Sequence, residues 1–185
     1  VFHLAWDRTR LMQKLRESYE YYYDIEDGDA GSGLPLEYRA EFRVRSEGYV
    51  LIKRAKIWAA ETNEYAYIFS VPVLDADTAS KCIDYALGDG FPRITPNPEH
   101  RESYIIAVFV ADVIEAEALK IIRSRKFYKS FSFGLQGGLA LKISAVGVEK
   151  ELISSNKTGG HLGSFFREFF RREKECQRFS IVFSG

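Results

Sequence analysis

The stretch from Arg125 to Val148, RKFYKSFSFGLQGGLALKISAVGV, decides how the rest of the chain is read. It divides into two alternating runs around Gln136, Gly137 and Gly138. In the first run Phe131 and Phe133 fall on one side of a strand and Ser130 and Ser132 on the other, because strand side chains alternate with period two. In the second, Leu139, Leu141, Ile143, Ala145 and Gly147 share one face, and Ala140, Lys142, Ser144, Val146 and Val148 share the other. A three-residue loop ending in glycine suits a tight antiparallel turn whose last residue takes positive φ. Aromatic and β-branched residues in both runs favour a half-buried sheet. The stretch predicts a β-hairpin, and with it a fold built on a sheet.

Working outward, Asp112 and Glu115 have capping-box spacing for a helix that runs to about Arg125. Ser103 to Ala111 is a continuous apolar strand. Pro92, Pro96 and Pro98 make Gly88 to Arg101 a loop and the best internal boundary. Before it, Asp75 or Asp77 caps a helix through Leu87 whose Ala79, Cys82, Ile83, Ala86 and Leu87 face inward. Glu64 to Val73 is nearly all apolar and reads as a central strand. Glu37 to Arg45 and Tyr49 to Ala60 form a second hairpin turning at Ser46, Glu47 and Gly48. Asp7 to Tyr23 carries Leu11, Leu15, Tyr19, Tyr22 and Tyr23 on one helical stripe. Asp24 to Gly33 is acidic and glycine-rich, and reads as a solvated loop. Downstream come a short strand near Leu152, a turn over Ser154 to Gly160, a helix over Ser164 to Cys176, and a closing strand from Arg178 to Ser184.

Written as elements, the first part is helix, strand, strand, strand, helix, strand, and residues 114–184 can be read the same way. Tyr38 and Tyr128, Gly48 and Gly138, and Leu51 and Leu141 stand 90 positions apart. The expected architecture is a single α+β domain over 1–185, with a mixed, largely antiparallel sheet and helices packed on it. The pattern allows two internal halves, 1–111 and 112–185, joined at the boundary loop 88–102.

A chain of 185 residues buries roughly 70% of its unfolded surface, so its core needs no disulfide or metal staple. Two cysteines, Cys82 and Cys176, read as buried thiols of a reducing compartment. Lysine plus arginine balances aspartate plus glutamate, 26 against 26, which argues against a general polyanion binder but leaves room for a local basic patch. No apolar run reaches the length of a membrane span. The first residues meet charge too soon for a signal peptide, and a soluble cytoplasmic protein is expected.

Catalytic patterns fail on inspection. The element order matches the restriction-endonuclease-like core, whose chemistry needs carboxylates around a divalent metal and a lysine beside them. Here the acids are Glu61 and Glu64, and the lysine positions hold Asn63 and Ala66. Such a hydrolase or nuclease-like enzyme, degenerate in its core, is the third reading, with Glu61, Glu64 and Asp112 as its scattered acids. The acidic loop lacks EF-hand spacing, because Gly28 stands at its fifth position. His3, His100 and His161 are isolated, so no metal ligand set and no cofactor site is expected. Asn156, Lys157 and Thr158 form a glycosylation sequon that reads as a chance turn. Phe165, Phe166, Phe169 and Phe170 make a ridge on the last helix that suits a sheet cover better than a membrane.

One region carries binding chemistry. Lys120, Arg123, Arg125, Lys126 and Lys129 stand together without an intervening acid. KSFSFGL, from Lys129, resembles the aromatic strand of RNA-recognition motifs, in which two spaced aromatics stack bases on an open sheet. Ser130 replaces that motif's first glycine. Arg125, Lys126, Lys129, Phe131 and Phe133 are therefore the candidate contacts for nucleic acid or a partner, within hairpin residues 120–143. The competing expectation, and the favoured one, places Phe131 and Phe133 in the core, since spaced aromatics in strands usually face inward.

The segments EFRVRSEGYVLIKRAKIWAAETNEY, from Glu41 to Tyr65, and ALKIIRSRKFYKSFSFG, from Ala118 to Gly134, resemble a family of uncharacterised prokaryotic proteins. That resemblance implies no activity. With 14 Phe and 11 Tyr to bury, a single domain is expected to leave an apolar patch for a twin subunit. The sequence points to a non-enzymatic, self-associating (homodimeric) binding domain, with single-stranded nucleic-acid binding as the alternative.

Overall fold

The computed structural model describes residues 7–29, 31, 33–42, 63–96, 100 and 102–182. Its elements, in chain order, are α1 (Arg8–Glu20), β1 (Asp24–Asp27), β2 (Leu36–Phe42), β3 (Asn63–Leu74), α2 (Ala76–Gly90), β4 (Glu102–Ile114), α3 (Ala116–Ser124), β5 (Tyr128–Ser130), β6 (Gly138–Gly147), β7 (Leu152–Ser155) and α4 (Gly160–Val182). The strands form one mixed sheet in the order β1-β2-β3-β4-β6-β5, with β7 also on β6. β3, β4 and β6 run parallel at its centre, and β1, β2, β5 and β7 join antiparallel. This is an α+β fold. The sheet takes strands from both sides of residues 88–102. No described helix is long and apolar enough to cross a membrane.

The central strands read as near-continuous apolar runs because both their faces are covered. On one face Tyr67, Phe69, Ile105, Phe109, Leu141 and Ile143 meet Ala79, Cys82 and Ile83 of α2 and Ala118 and Ile122 of α3. On the other, Ile68, Ile106, Val108 and Val146 meet Leu11, Leu15 and Tyr19 of α1 and Leu162, Phe166 and Phe170 of α4. The two parallel connections step the same way across the sheet, from β3 to β4 and from β4 to β6. Crossovers of one hand then place α2 and α3 on the same face. All ten residues of β6 are buried, so the expectation of a half-buried strand is corrected, although the assignment of its residues to two faces holds.

Several boundaries differ from expectation. Asp24–Asp27 is an edge strand and not a loop; it pairs with Asp27 opposite Tyr38 and Asp24 opposite Glu41. Gly28 permits that approach, because a Cβ there would lie 1.9 Å from the Leu36 carbonyl oxygen. Asp112 is not a helix cap. The backbone stays extended through Ile114, Glu115 takes the cap position without a side-chain bond, and Asp112 pairs with Arg8 at 3.2 Å. Asp75 does cap α2, accepting from the Thr78 amide at 2.7 Å, and that helix runs on to Gly90 before a single 3-10 turn over Phe91–Arg93. The segment from Arg178 onward is helical as far as Val182, not a closing strand. The turn at Ser46 to Gly48, the strand from Tyr49 to Ala60, and Glu61 lie outside the described residues.

Candidate functional site

The predicted hairpin exists, but its first strand is three residues long. Tyr128, Lys129 and Ser130 pair with Ala140, Leu139 and Gly138. The Phe131 amide then closes the loop on the Gly137 carbonyl at 2.9 Å. Ser132 and Phe133 follow at φ 48° and 55°, the left-handed region, which costs a residue bearing a Cβ about 1–2 kcal/mol. Because the extended backbone ends there, the two aromatics part company. Phe131 turns inward, half-buried, with its ring stacked 6.4 Å from Phe91 and edge-on 5.9 Å from His100. Phe133 turns outward and is fully exposed, and Leu135 beside it is 81% exposed. Neither the one-face stacking platform nor the shared core face describes this pair.

The basic residues also separate. Arg125 is ion-paired with Asp84 across the gap to α2. Lys120 pairs with Glu117 at 2.6 Å, and Arg123 donates to Ser154 at 3.0 Å. Lys129 holds its ammonium 4.5 Å above the Phe91 ring, a cation–π contact. Lys126 is exposed, with no ion pair among the described residues. What remains at the sheet edge is an exposed strip of Lys126, Phe127, Tyr128, Lys129, Phe133 and Leu135, in which Tyr128 and Lys129, successive in β5, face opposite sides of the sheet. Of the five candidate residues, the structure places Lys126, Lys129 and Phe133 on this strip, and turns Arg125 and Phe131 to supporting roles. Sequence reasoning did not single out Tyr128 and Leu135, which the structure exposes beside them. For Tyr128 the legible signal was KFYK, in which two adjacent aromatics lie between lysines.

A buried electrostatic cluster lies elsewhere, on the α1/α4 face. Glu64 of β3, 2% exposed, accepts from the Tyr23 hydroxyl at 2.5 Å and from the Lys142 ammonium at 3.4 Å. Lys142 of β6 also lies 3.1 Å from the centroid of the Tyr104 ring, whose hydroxyl donates to Glu102 at 2.8 Å. Burial raises the Glu64 carboxyl above its ordinary range, against the opposing charge of Lys142. Burial likewise lowers Lys142, with Glu64 pulling it back up. His161 on α4 is lowered by burial and by the Lys142 charge. The lysine missing from the sequence beside Glu64 is thus supplied in space by β6. Both Glu64 oxygens are engaged, however, and the described residues contain no group of three or more His, Cys, Asp or Glu able to hold a metal. Asp112 stands eight residues beyond Tyr104, the partner of Glu64, roughly 26 Å along the strand. Glu64 and Asp112 are therefore not brought together, and Glu61 lies outside the described residues.

A second polar cluster sits where β1, β2 and β3 meet the end of α2. Asp89 accepts from Tyr67 at 2.7 Å, from Arg93 at 3.1 Å and from Arg39 at 3.1 Å, and Arg39 also pairs with Glu26 at 2.7 Å. Burial would raise the Asp89 carboxyl, but these donors and the two arginine charges hold it below its ordinary range. The shallow cleft beside it is lined by Asp24, Glu26, Arg39, Glu41, Tyr65 and Arg93 among others. Its charges answer one another, so it reads as a strut between sheet edge and helix.

The chain belongs to the family described as a domain of unknown function (DUF8052), whose family model matches residues 7–168. Both segments quoted for the resemblance to an uncharacterised family lie inside that span. No curated protein matches the chain, and no solved structure matches it.

Proposed function

We propose that this chain is a non-enzymatic binding domain that holds single-stranded nucleic acid against its edge hairpin, residues 126–135. The observation that carries this reading is Phe133. The loop accepts two successive left-handed residues and thereby presents a whole aromatic ring to solvent, which folding alone does not reward. Tyr128, 68% exposed on the neighbouring strand, offers a second ring, and Lys126 and Lys129 offer the charge. Bases stack on such rings for about 1–3 kcal/mol each, without sequence preference. The acid-free run from Ala118 to Val148 keeps repulsive carboxylates off the strip's own chain.

The test is fluorescence anisotropy of a labelled oligothymidylate. Two lysine–phosphate contacts give a log–log salt slope of about −1.4, so affinity falls about sevenfold between roughly 50 and 200 mM salt. Phe133→Ala and Tyr128→Ala each weaken binding about tenfold while leaving the melting temperature unchanged, since both rings are solvated. Equal binding by wild type and Phe133→Ala would sink the reading. So would binding to phosphatidylserine vesicles in place of the oligonucleotide.

Leu135 favours a second occupant. An aliphatic side chain at 81% exposure stacks no base, and its burial against a second copy of the hairpin would remove apolar surface from water. Self-association through the same strip is the competing use of the surface.

A further inference from the structure

The hairpin tip is held from outside the hairpin. His100 lies ahead of β4, in the connection that follows α2, and both its ring nitrogens are engaged. Nδ1 is 2.7 Å from the Gln136 carbonyl oxygen on the far side of the tip, and Nε2 is 2.7 Å from the Ser103 hydroxyl at the start of β4. A carbonyl oxygen only accepts, so Nδ1 carries the hydrogen and the Ser103 hydroxyl donates to Nε2 in the neutral ring. Ser103 is fully buried. One imidazole therefore ties the interior of the sheet to the loop that displays Phe133. The ring also meets Phe131 edge-on, and Phe131 in turn stacks on Phe91 beneath the Lys129 ammonium. Within the tip, the Gly134, Leu135 and Gln136 amides bond back to Phe131 and Ser132. Those bonds set its shape, while the Phe131–Gly137 closure, the Phe131 packing on Phe91 and the bond from His100 tie it to the rest of the fold.

We propose that His100 is the positioning residue of the binding surface, holding the tip pre-organised so that Phe133 and Leu135 face a ligand. Ordering a loop on binding subtracts from affinity, and a loop already ordered avoids that loss. The inference rests on the reading above for what is bound, but not for the strut itself.

The experiment compares wild type, His100→Ala and His100→Asn by ¹⁵N relaxation of residues 132–137 and by titration with the same labelled oligothymidylate. The Asn side chain carries an N–H that can stand in for Nδ1 toward Gln136. In His100→Ala the heteronuclear NOE of Phe133 to Gln136 drops to loop-like values, and affinity falls about tenfold or more. His100→Asn recovers most of both. A role limited to general stability would instead lower the melting temperature, leave the affinity of the folded fraction unchanged, and show no rescue by Asn. Unchanged tip relaxation in His100→Ala overturns the proposal. If His100→Ala fails to fold, Ser103→Ala releases the other end of the same tether, and the same two readouts decide. If the wild type does not bind the oligonucleotide, the functional reading fails and the relaxation data alone judge the strut.

Discussion

Glu64 and Lys142 stand 78 positions apart, and no spacing rule could have joined them in the sequence. Glu64 showed only as an acid on an apolar strand, and Lys142 only as the one charge on a face otherwise made of Ala140, Ser144, Val146 and Val148. They meet because each sits on a strand that flanks β4, on the face covered by α1 and α4. The opposed shifts of the two groups have one cause, since burial penalises each charge and the partner recovers only part of that loss. Such a pair contributes little net stability, yet breaking it strands a charge in the interior. Glu64→Ala or Lys142→Ala is therefore expected to lose about 3–5 kcal/mol in urea unfolding, whereas Glu64→Leu combined with Lys142→Met, in a Tyr23→Phe background that removes the hydroxyl bonded to Glu64, returns close to that background. Additive losses in the double variant would show that the pair is not the coupled, desolvated unit described here.

At the scale of elements, the far edge of β6 is divided between two short strands. β5 covers Gly138 to Ala140 and β7 covers Ser144 to Gly147. The gap between them is filled by two side chains, that of Thr158, whose hydroxyl donates to the Leu141 carbonyl at 2.5 Å, and chiefly that of Asn156. Its Nδ2 donates to the Leu141 carbonyl at 3.0 Å and the Arg125 carbonyl at 3.2 Å, and its Oδ1 accepts from the Ile143 amide at 3.0 Å and the Gly159 amide at 2.8 Å. An amide side chain thus completes the ladder as a backbone peptide would. Gly159 packs so closely that a Cβ would lie 2.3 Å from the Ile143 carbonyl oxygen. At 3% exposure Asn156 is no glycan acceptor, and the sequon was a turn signal with a structural meaning that local reading could not supply. Asn156→Ala orphans the buried Ile143 amide, since the Leu141 carbonyl keeps Thr158 and the Gly159 amide keeps the residue-156 carbonyl; at about 1–3 kcal/mol and about 2–4 °C per kcal/mol for a chain of this size, the melt should fall by about 4–8 °C. A shift under about 2 °C would mean that water replaces the amide.

The elements that were legible share one property: their periodicity is enforced by burial. The faces of β6, the inward stripe of α2 and the apolar run of β4 all follow from cores on both sides of the sheet. Boundaries were not legible where local alternation competes with something longer. The seven residues after Gln177 alternate, but a helix already propagating from Gly160 extends at little cost per residue. KSFSF alternates too, yet the chain turns at Ser132 because Phe131 finds Phe91 and His100 to pack on. Of the candidate site, the lysines and Phe133 were visible, and the tether through His100 was not, since it depends on a loop 36 positions away.

For the whole molecule, formal neutrality removes long-range repulsion between copies, and the exposed strip is the proposed contact between them. Its apolar part, Phe133 and Leu135, lies with Tyr128 at an open sheet edge, since β5 ends the strand order. Contact between two such tips is driven by removal of apolar surface, which added salt of the excluded kind strengthens. The proposed oligonucleotide binding at the same strip would be driven by counterion release, which salt weakens. The two uses of the surface therefore have opposite salt slopes. Sedimentation velocity at micromolar concentration is expected to show a monomer–dimer equilibrium that shifts toward dimer as sodium sulfate rises. Phe133→Ser with Leu135→Ser should hold the protein monomeric throughout, and saturating oligothymidylate should dissociate the wild-type dimer at low salt. A dimer that persists in the double variant would place the interface elsewhere on the molecule. A dimer that binds oligonucleotide without dissociating would show that the strip serves nucleic acid alone.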